Sequence, residues 1–135
     1  MERSADGWQL PYFLAPGNYE YKFIADGQWL IDPANPYTLG EGRHTNSFLA
    51  VAPNHIFVLD AHPDARQVIV TGSFNNWSQT GYRMARIDGR WTLPIHLAPG
   101  KHTYKFIVDG RWITDPSNEQ WEENEQGTGN SVLWK

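Results

Sequence analysis

Four side chains in the later part of this chain have types and spacing that could act together: Trp77, Lys105, Trp112 and Asn130. Two tryptophans, a lysine and an asparagine make a poor catalytic set. They make a good set for holding a sugar. A glucose ring presents axial C–H groups on a flat face, which pack on an indole, and a rim of hydroxyls that needs donors and acceptors. Asparagine supplies both and lysine supplies three donors. Small-molecule sites are of this kind, mostly apolar with a few placed polar groups. Each residue alone has a plainer structural reading: Trp77 capping the end of the fold, Trp112 covering Ile107, Lys105 on a solvated strand face, Asn130 in ordinary turn chemistry. The set outweighs its members because three of the four recur, as Lys22, Trp29 and Asn46.

Catalytic alternatives are weaker. Asp109, Asp115, Glu119, Glu122, Glu123 and Glu125 could supply a glycosidase pair. However, the aspartates occupy turn positions and the glutamates crowd one polar loop. The five histidines, at positions 44, 55, 62, 96 and 102, have no metal-binding spacing. Phosphate-loop and nucleophile-elbow patterns are absent. No enzyme activity, cofactor or metal is expected.

The elements that must position the set centre on Tyr104 to Asp115, Y-K-F-I-V-D-G-R-W-I-T-D. Asp109-Gly110 between two apolar runs predicts a two-residue hairpin turn, since both residues tolerate positive φ. That turn pairs Val108 with Arg111, Ile107 with Trp112, Phe106 with Ile113 and Lys105 with Thr114. Alternation along a strand then puts Tyr104, Phe106 and Ile113 on a core face, and Lys105, Ile107 and Trp112 on the other. Tyr21 to Asp32, Y-K-F-I-A-D-G-Q-W-L-I-D, repeats the pattern. Trp8, Leu14, Lys22, Trp29 and Asp32 answer Trp91, Leu97, Lys105, Trp112 and Asp115 at an offset of 83, and Asn46-Ser47 answers Asn130-Ser131 at 84. The repeat is a whole module rather than a short solenoid unit. Residues 1–51 contain no counterpart of residues 52–83. The expected domains are a partial module, 1–51, and a complete one, 52–135.

Within these, strands are expected at Trp8–Leu14, Tyr19–Ala25, Gln28–Ile31, Ser47–Val51, His55–Leu59, Gln67–Gly72, Tyr82–Arg86, Arg90–Leu97, Lys101–Val108, Arg111–Thr114 and Asn130–Lys135. Residues 33–45 and 115–129 read as loops. Trp91, Leu93, Ile95 and Leu97 alternate as core, and Trp91 and its counterpart Trp8 are expected to be structural. The 135 residues include seven Trp, 12 Gly and nine Pro, with turn signals throughout and no long helical period. The fold class is all-β: an immunoglobulin-like sandwich in tandem modules, the first incomplete. A net charge of -4 argues against nucleic acid and anionic membrane as partners. No apolar run approaches the ~20 residues of a membrane span. No signal-peptide core opens the sequence, so a cytoplasmic location is expected.

The motifs G-S-F-N-N-W (72–77), L-A-P-G-x-x-x-Y-K-F-x-V-D-G-x-W (97–112), D-P (115–116) and G-T-x-N (127–130) together resemble carbohydrate-binding module family 48. That family includes the glycogen-binding domain of the AMP-activated protein kinase beta subunit, and is similar to the early-set domains of glucan branching and debranching enzymes. The resemblance implies a sandwich that binds α-1,4-glucans without cutting them. It implies platforms at Trp77 and Trp112 and hydroxyl-binding residues at Lys105 and Asn130, with Thr128 nearby. Gln126 stands where the kinase-type domain has a loop leucine that threads against the sugar. The first copy keeps Lys22, Trp29 and Asn46 as a partial second site but has no N-N-W. Besides the glucan, the implied partners are a glucan-active catalytic domain and a second copy of the chain that would complete the half-module. The alternative function is an early-set spacer or interaction domain that packs on a neighbour without binding sugar.

Overall fold

The computed structural model describes the backbone of residues 2–4 and all of residues 7–10 and 12–135. In chain order the strands are β1 (Glu2–Ser4), β2 (Gly7–Gln9), β3 (Gly17–Tyr21), β4 (Phe23–Ala25), β5 (Gln28–Leu30), β6 (Thr38–Leu39), β7 (Asn46–Val51), β8 (His55–Leu59), β9 (Val68–Gly72), β10 (Ala85–Ile87), β11 (Arg90–Ile95), β12 (Lys101–Val108), β13 (Arg111–Ile113), β14 (Trp121–Glu123) and β15 (Gly129–Trp134). Short 3-10 turns cover Gly42–His44 and Ser73–Asn75. The fold is an all-β sandwich of immunoglobulin-like type.

The hairpin turns form as their Asp-Gly pairs dictate. Asp109 and Gly110 adopt φ 47° and 84°, and Asp26 and Gly27 adopt 50° and 79°. These left-handed conformations match the right-handed twist of the flanking strands. Phe106 pairs Ile113, Ile107 pairs Trp112 and Val108 pairs Arg111; Ile24 likewise pairs Trp29. The ladder stops there, and the expected Lys105–Thr114 pair is not part of it.

One sheet runs β10-β11-β8. The other runs β13-β12-β15-β14, with β9 paired to β12. Between them lie Phe57, Leu59, Val68, Val70, Leu93, Ile95 and Phe106, all buried. Trp91, Leu93, Ile95 and Leu97 alternate inward as expected. Trp91 donates its indole N–H to the His62 carbonyl at 3.1 Å.

Residues 17–51 join this sandwich by an edge. Strands β3, β7 and β6 form a sheet, and its outer strand β6 meets the segment before β10. Arg83 bridges Thr38 on one side and Ile69 of β9 on the other. Arg83 N–H donates to the Thr38 carbonyl at 3.0 Å, and Gly40 N–H to that of Thr80 at 2.8 Å. Phe48 is 2% exposed and its ring lies 4.8 Å from that of Tyr82, with Tyr37, Leu39 and Ala50 packed against the same core. In β7, Phe48 pairs Glu20 and Ser47 pairs Tyr21. Alternation therefore turns the Phe48 face to the core and leaves the Tyr21 face pointing away. Asn18 fastens the far end, donating to the His96 carbonyl at 2.7 Å and accepting the His96 N–H at 2.8 Å.

A polar cluster occurs in both copies. Tyr104 donates to Asp115 at 2.7 Å, Asn118 donates to the Tyr104 hydroxyl at 3.0 Å and to the Val132 carbonyl at 2.9 Å, and Ser131 Oγ accepts Asp115 N–H at 2.8 Å. Tyr21, Asp32, Asn35, Phe48 and Ser47 repeat every bond. Burial pushes the Tyr104 phenol well above its ordinary value, and the Tyr21 phenol is raised by burial and by Asp32.

Further expectations need correction: the strand expected at Tyr82–Arg86 is β10 at Ala85–Ile87, with Arg83 in isolated bridges before it. Trp8 is 64% exposed, unlike its counterpart Trp91. Trp91 is enclosed because β11 lies between β8 and β10, whereas β2 pairs only with β1, the counterpart of β10, and among the described residues no strand answers β8. The expected strand Trp8–Leu14 is reduced to β2, paired with β1; Pro11 lies outside the described residues. Strands β6 and β14 lie inside segments read as loops. Neither has an alternating apolar pattern, because each is short and held by pairing to β7 or β15.

Candidate functional site

Trp77 is set by the turn that ends β9. Asn75 Oδ1 accepts Gly72 N–H at 3.0 Å and the Thr71 hydroxyl at 3.2 Å, while Trp77 N–H donates to the Gly72 carbonyl at 2.9 Å. Asn76 and Trp77 both lie in the left-handed region, at φ 55° and 56°. For a bulky residue such as Trp this conformation costs on the order of 1–3 kcal/mol and persists only where the surroundings enforce it. The enforcement is visible at Gly72, where an added Cβ would fall 2.2 Å from the Thr103 carbonyl oxygen and 2.8 Å from the Phe74 ring. Asn75 Nδ2 is buried without a hydrogen-bond partner, a further cost carried by this turn.

Lys105 and Trp112 are set by the β12–β13 hairpin. Trp112 is 39% exposed and lies across the ladder from Ile107, which is buried. Lys105 Nζ donates to Thr128 Oγ1 at 3.2 Å. This bond ties the hairpin face to the loop between β14 and β15.

That loop is organised by Asn124, a residue the sequence reading missed. Its Oδ1 accepts Gln126 N–H and Thr128 N–H, each at 3.0 Å. Its Nδ2 donates to Thr128 Oγ1 at 2.7 Å and to Asn130 Oδ1 at 3.1 Å. An asparagine opening a turn two residues before a glycine-bearing reversal is the available signal, since its side chain can hold the backbone amides that follow. Asn124 thus fixes both polar residues of the anticipated set on this side.

The five anticipated residues come together. Trp77, Lys105, Trp112, Thr128 and Asn130 line one open cleft of about 890 Å3, with Thr103, Asn124 and Gln126. Glu122, Glu123 and Glu125 line it too, and Lys101 forms an ion pair with Glu122. Among the described residues no three His, Asp or Glu side chains converge as a metal-binding group.

The first copy has a cleft of its own, of about 810 Å3, lined by Lys22, Trp29, Leu30, Ile31, Gly42, Arg43 and Thr45. Asn46 does not line it; its Nδ2 is held by Glu20 Oε1 at 2.6 Å. Arg43 is present where no equivalent was anticipated, and its carbonyl accepts from Lys22 Nζ at 2.9 Å.

An antiparallel sandwich thus carries two indoles beside neutral and charged hydrogen-bonding groups in one open cleft, an arrangement suited to a binding module. Residues 1–58 and 56–134 each match the family described as the glycogen recognition site of AMP-activated protein kinase, and the chain belongs to that family, a non-catalytic carbohydrate-binding module. Over 68 residues the chain is 38% identical to 5'-AMP-activated protein kinase subunit beta-1 of Sus scrofa, covering 50% of this chain and 53% of that one. It is 40% identical over the same length to subunit beta-1 of Bos taurus and 38% to subunit beta-2 of Homo sapiens, covering 24% of each. The match therefore spans about half of the first relative and about a quarter of the others. Among the described residues no helix is long and apolar enough to cross a membrane.

Proposed function

We propose that the chain binds α-1,4-glucans, such as glycogen, starch chains and maltooligosaccharides, without cleaving them. Glucose faces stack on Trp77 and Trp112, and their hydroxyls are held by Lys105, Thr128 and Asn130. The observation that carries this reading is the convergence of both tryptophans with these three polar residues on one open cleft. Five residues from three separate stretches meet there, and packing alone does not require two accessible indoles. Gln126 faces the same cleft as an adaptable hydrogen-bonding group in place of an apolar loop residue. Stacking contacts of about 1 kcal/mol each, beyond area burial, place a short oligosaccharide in the micromolar to millimolar range.

A second reading concerns residues 1–51, taken as part of a like module preceding the complete module of residues 52–135. Trp8, Leu10, Tyr12, Phe13 and Ile24 are each at least 60% exposed. Apolar exposure on that scale favours a protein contact for this half, with a second copy or a neighbouring glucan-active domain. It leaves the glucan cleft free.

The test is a titration of intrinsic tryptophan fluorescence with maltoheptaose on wild type and Trp112→Ala. A saturable change lost in the variant supports the glucan reading. Absence of any change up to millimolar sugar, in a folded protein, refutes it and leaves the interaction reading.

A further inference from the structure

The two clefts descend from the same repeat but differ in charge. Pairing against the following strand aligns them without reference to side-chain type. Glu122 pairs Asn130 and Glu123 pairs Gly129, whereas Leu39 pairs Asn46. Leu39 therefore stands in the place of Glu122, and Gly40 in that of Glu123. The first-copy turn is one residue shorter, and its count back from Asn46 puts Arg43 where Gly127 stands. These exchanges remove two carboxylates and add a guanidinium. No acidic residue is among those lining the first cleft, while three glutamates line the second. Among the described residues neither Lys22 nor Arg43 forms an ion pair. Glu20, which stands in the place of Thr103, is bound to Asn46.

We propose that the first cleft binds a glucose unit bearing an anionic substituent, of which a phosphate ester is the simplest, with the ring on Trp29 and the anion at Lys22 and Arg43. The inference rests on the glucan reading of the main cleft, whose tryptophan–lysine pair is repeated here. Trp29 is 67% exposed and shares a cleft wall with the apolar Leu30 and Ile31, so the ring has a platform. Lys22 spends one donor on the Arg43 carbonyl and keeps two. A guanidinium fork matches two phosphate oxygens at once and carries its charge at any physiological pH. The neutral hydroxyl-binding asparagine is withdrawn from this cleft and the cations remain. In the main cleft, by contrast, Glu122, Glu123 and Glu125 oppose an anionic ligand. The same chain would thus hold plain glucan in one cleft and a charged glucose in the other.

The experiment is a titration of the full chain followed by the indole N–H signals in two-dimensional NMR, assigned with Trp29→Phe and Trp112→Phe. Glucose 6-phosphate should shift the Trp29 signal saturably, and the apparent affinity should fall at least tenfold in Arg43→Gln and again with 0.5 M salt. Glucose and maltoheptaose at equal concentration should leave Trp29 in place. An equal Trp29 response to glucose, an equal response to inorganic phosphate, a response that survives Arg43→Gln with Lys22→Gln, or no response at all each overturns the proposal. Maltoheptaose acting on Trp112 in the same spectra reports the main cleft separately. A silent Trp112 refutes the glucan reading, and a silent Trp29 beside a responding Trp112 refutes only this one. Spectral dispersion of the variants verifies that they are folded; both substituted side chains lie at the surface.

Discussion

Asn124→Ala should weaken glucan binding about tenfold while leaving the sandwich intact. The side chain makes four hydrogen bonds, to Gln126 N–H, Thr128 N–H, Thr128 Oγ1 and Asn130 Oδ1. All four partners lie in or beside an exposed turn, so on truncation they pass to water rather than being left unsatisfied. The net loss per bond is then at the low end of the usual ~0.5–1.5 kcal/mol. Two bonds of the turn survive because they are backbone to backbone: Asn124 N–H to the Thr128 carbonyl at 2.7 Å and Gly127 N–H to the Asn124 carbonyl at 3.1 Å. The turn loosens without unfolding. A bound sugar must reorder it, at about 1–2 kcal/mol per residue if a single residue's worth of backbone freedom has been regained. A cost near ~1.4 kcal/mol is a factor of ten in affinity. Asn124→Asp keeps the Oδ1 acceptor for both backbone amides and loses only the donors, so its loss should be clearly smaller. The assay is calorimetric titration with maltoheptaose beside a thermal melt. Wild-type affinity in Asn124→Ala would refute the reasoning. So would an aspartate variant as weak as the alanine one, since the backbone amides would then not be the cause.

Phe48→Ala should lower stability by about 3–5 kcal/mol, the usual range for a buried phenylalanine, read by urea unfolding; a change under 1 kcal/mol would mean that residues 17–51 do not share the core. Gly72→Ala should cost about 1–3 kcal/mol, because the new methyl meets the Thr103 backbone, and should weaken maltoheptaose binding by displacing Trp77. Unaltered binding there would uncouple Gly72 from the cleft. The contribution of the Tyr104 and Tyr21 phenols to stability should be constant up to the ordinary phenol value of 10.0 and fall as pH rises beyond it, since the unfolded chain then loses protons that these raised phenols retain. Each such group contributes a slope of at most about 1.4 kcal/mol per pH unit. Tyr104→Phe should flatten the slope, and an identical slope in that variant would refute the assignment.

The hairpin registers and the alternating core of β11 were legible in the sequence because each is governed by local rules, whereas the cleft residues were anticipated from their types, their recurrence and, for Thr128, the family resemblance. Asp-Gly fixes a turn, a turn fixes a register, and register with a period of two fixes which side chains share a face. Asn124 was hidden because its role is to hold a backbone whose path no residue pattern announces. The placement of residues 17–51 was hidden for a different reason. Repeat logic assigns Tyr21, Phe23 and Leu30 to a core face, as it does Tyr104, Phe106 and Ile113. In the second copy that face is covered by the β8–β11 sheet, while β9 flanks β12 within its own sheet. Among the described residues no strand answers β8 or β9 in the first copy, and residues 17–51 bury their opposite face, through Phe48, Leu39 and Ala50, against the neighbouring core. Val132, the counterpart of Phe48, belongs to a strand flanked by β12 and β14. A large aromatic at position 48 suits a strand that must reach across to Tyr82. The same exchange explains why Leu39 replaces Glu122. A carboxylate that rims a cleft in one copy would point into apolar packing in the other, at a cost no local pairing could offset. One substitution thus serves both the docking of the half-module and the loss of negative charge beside Lys22.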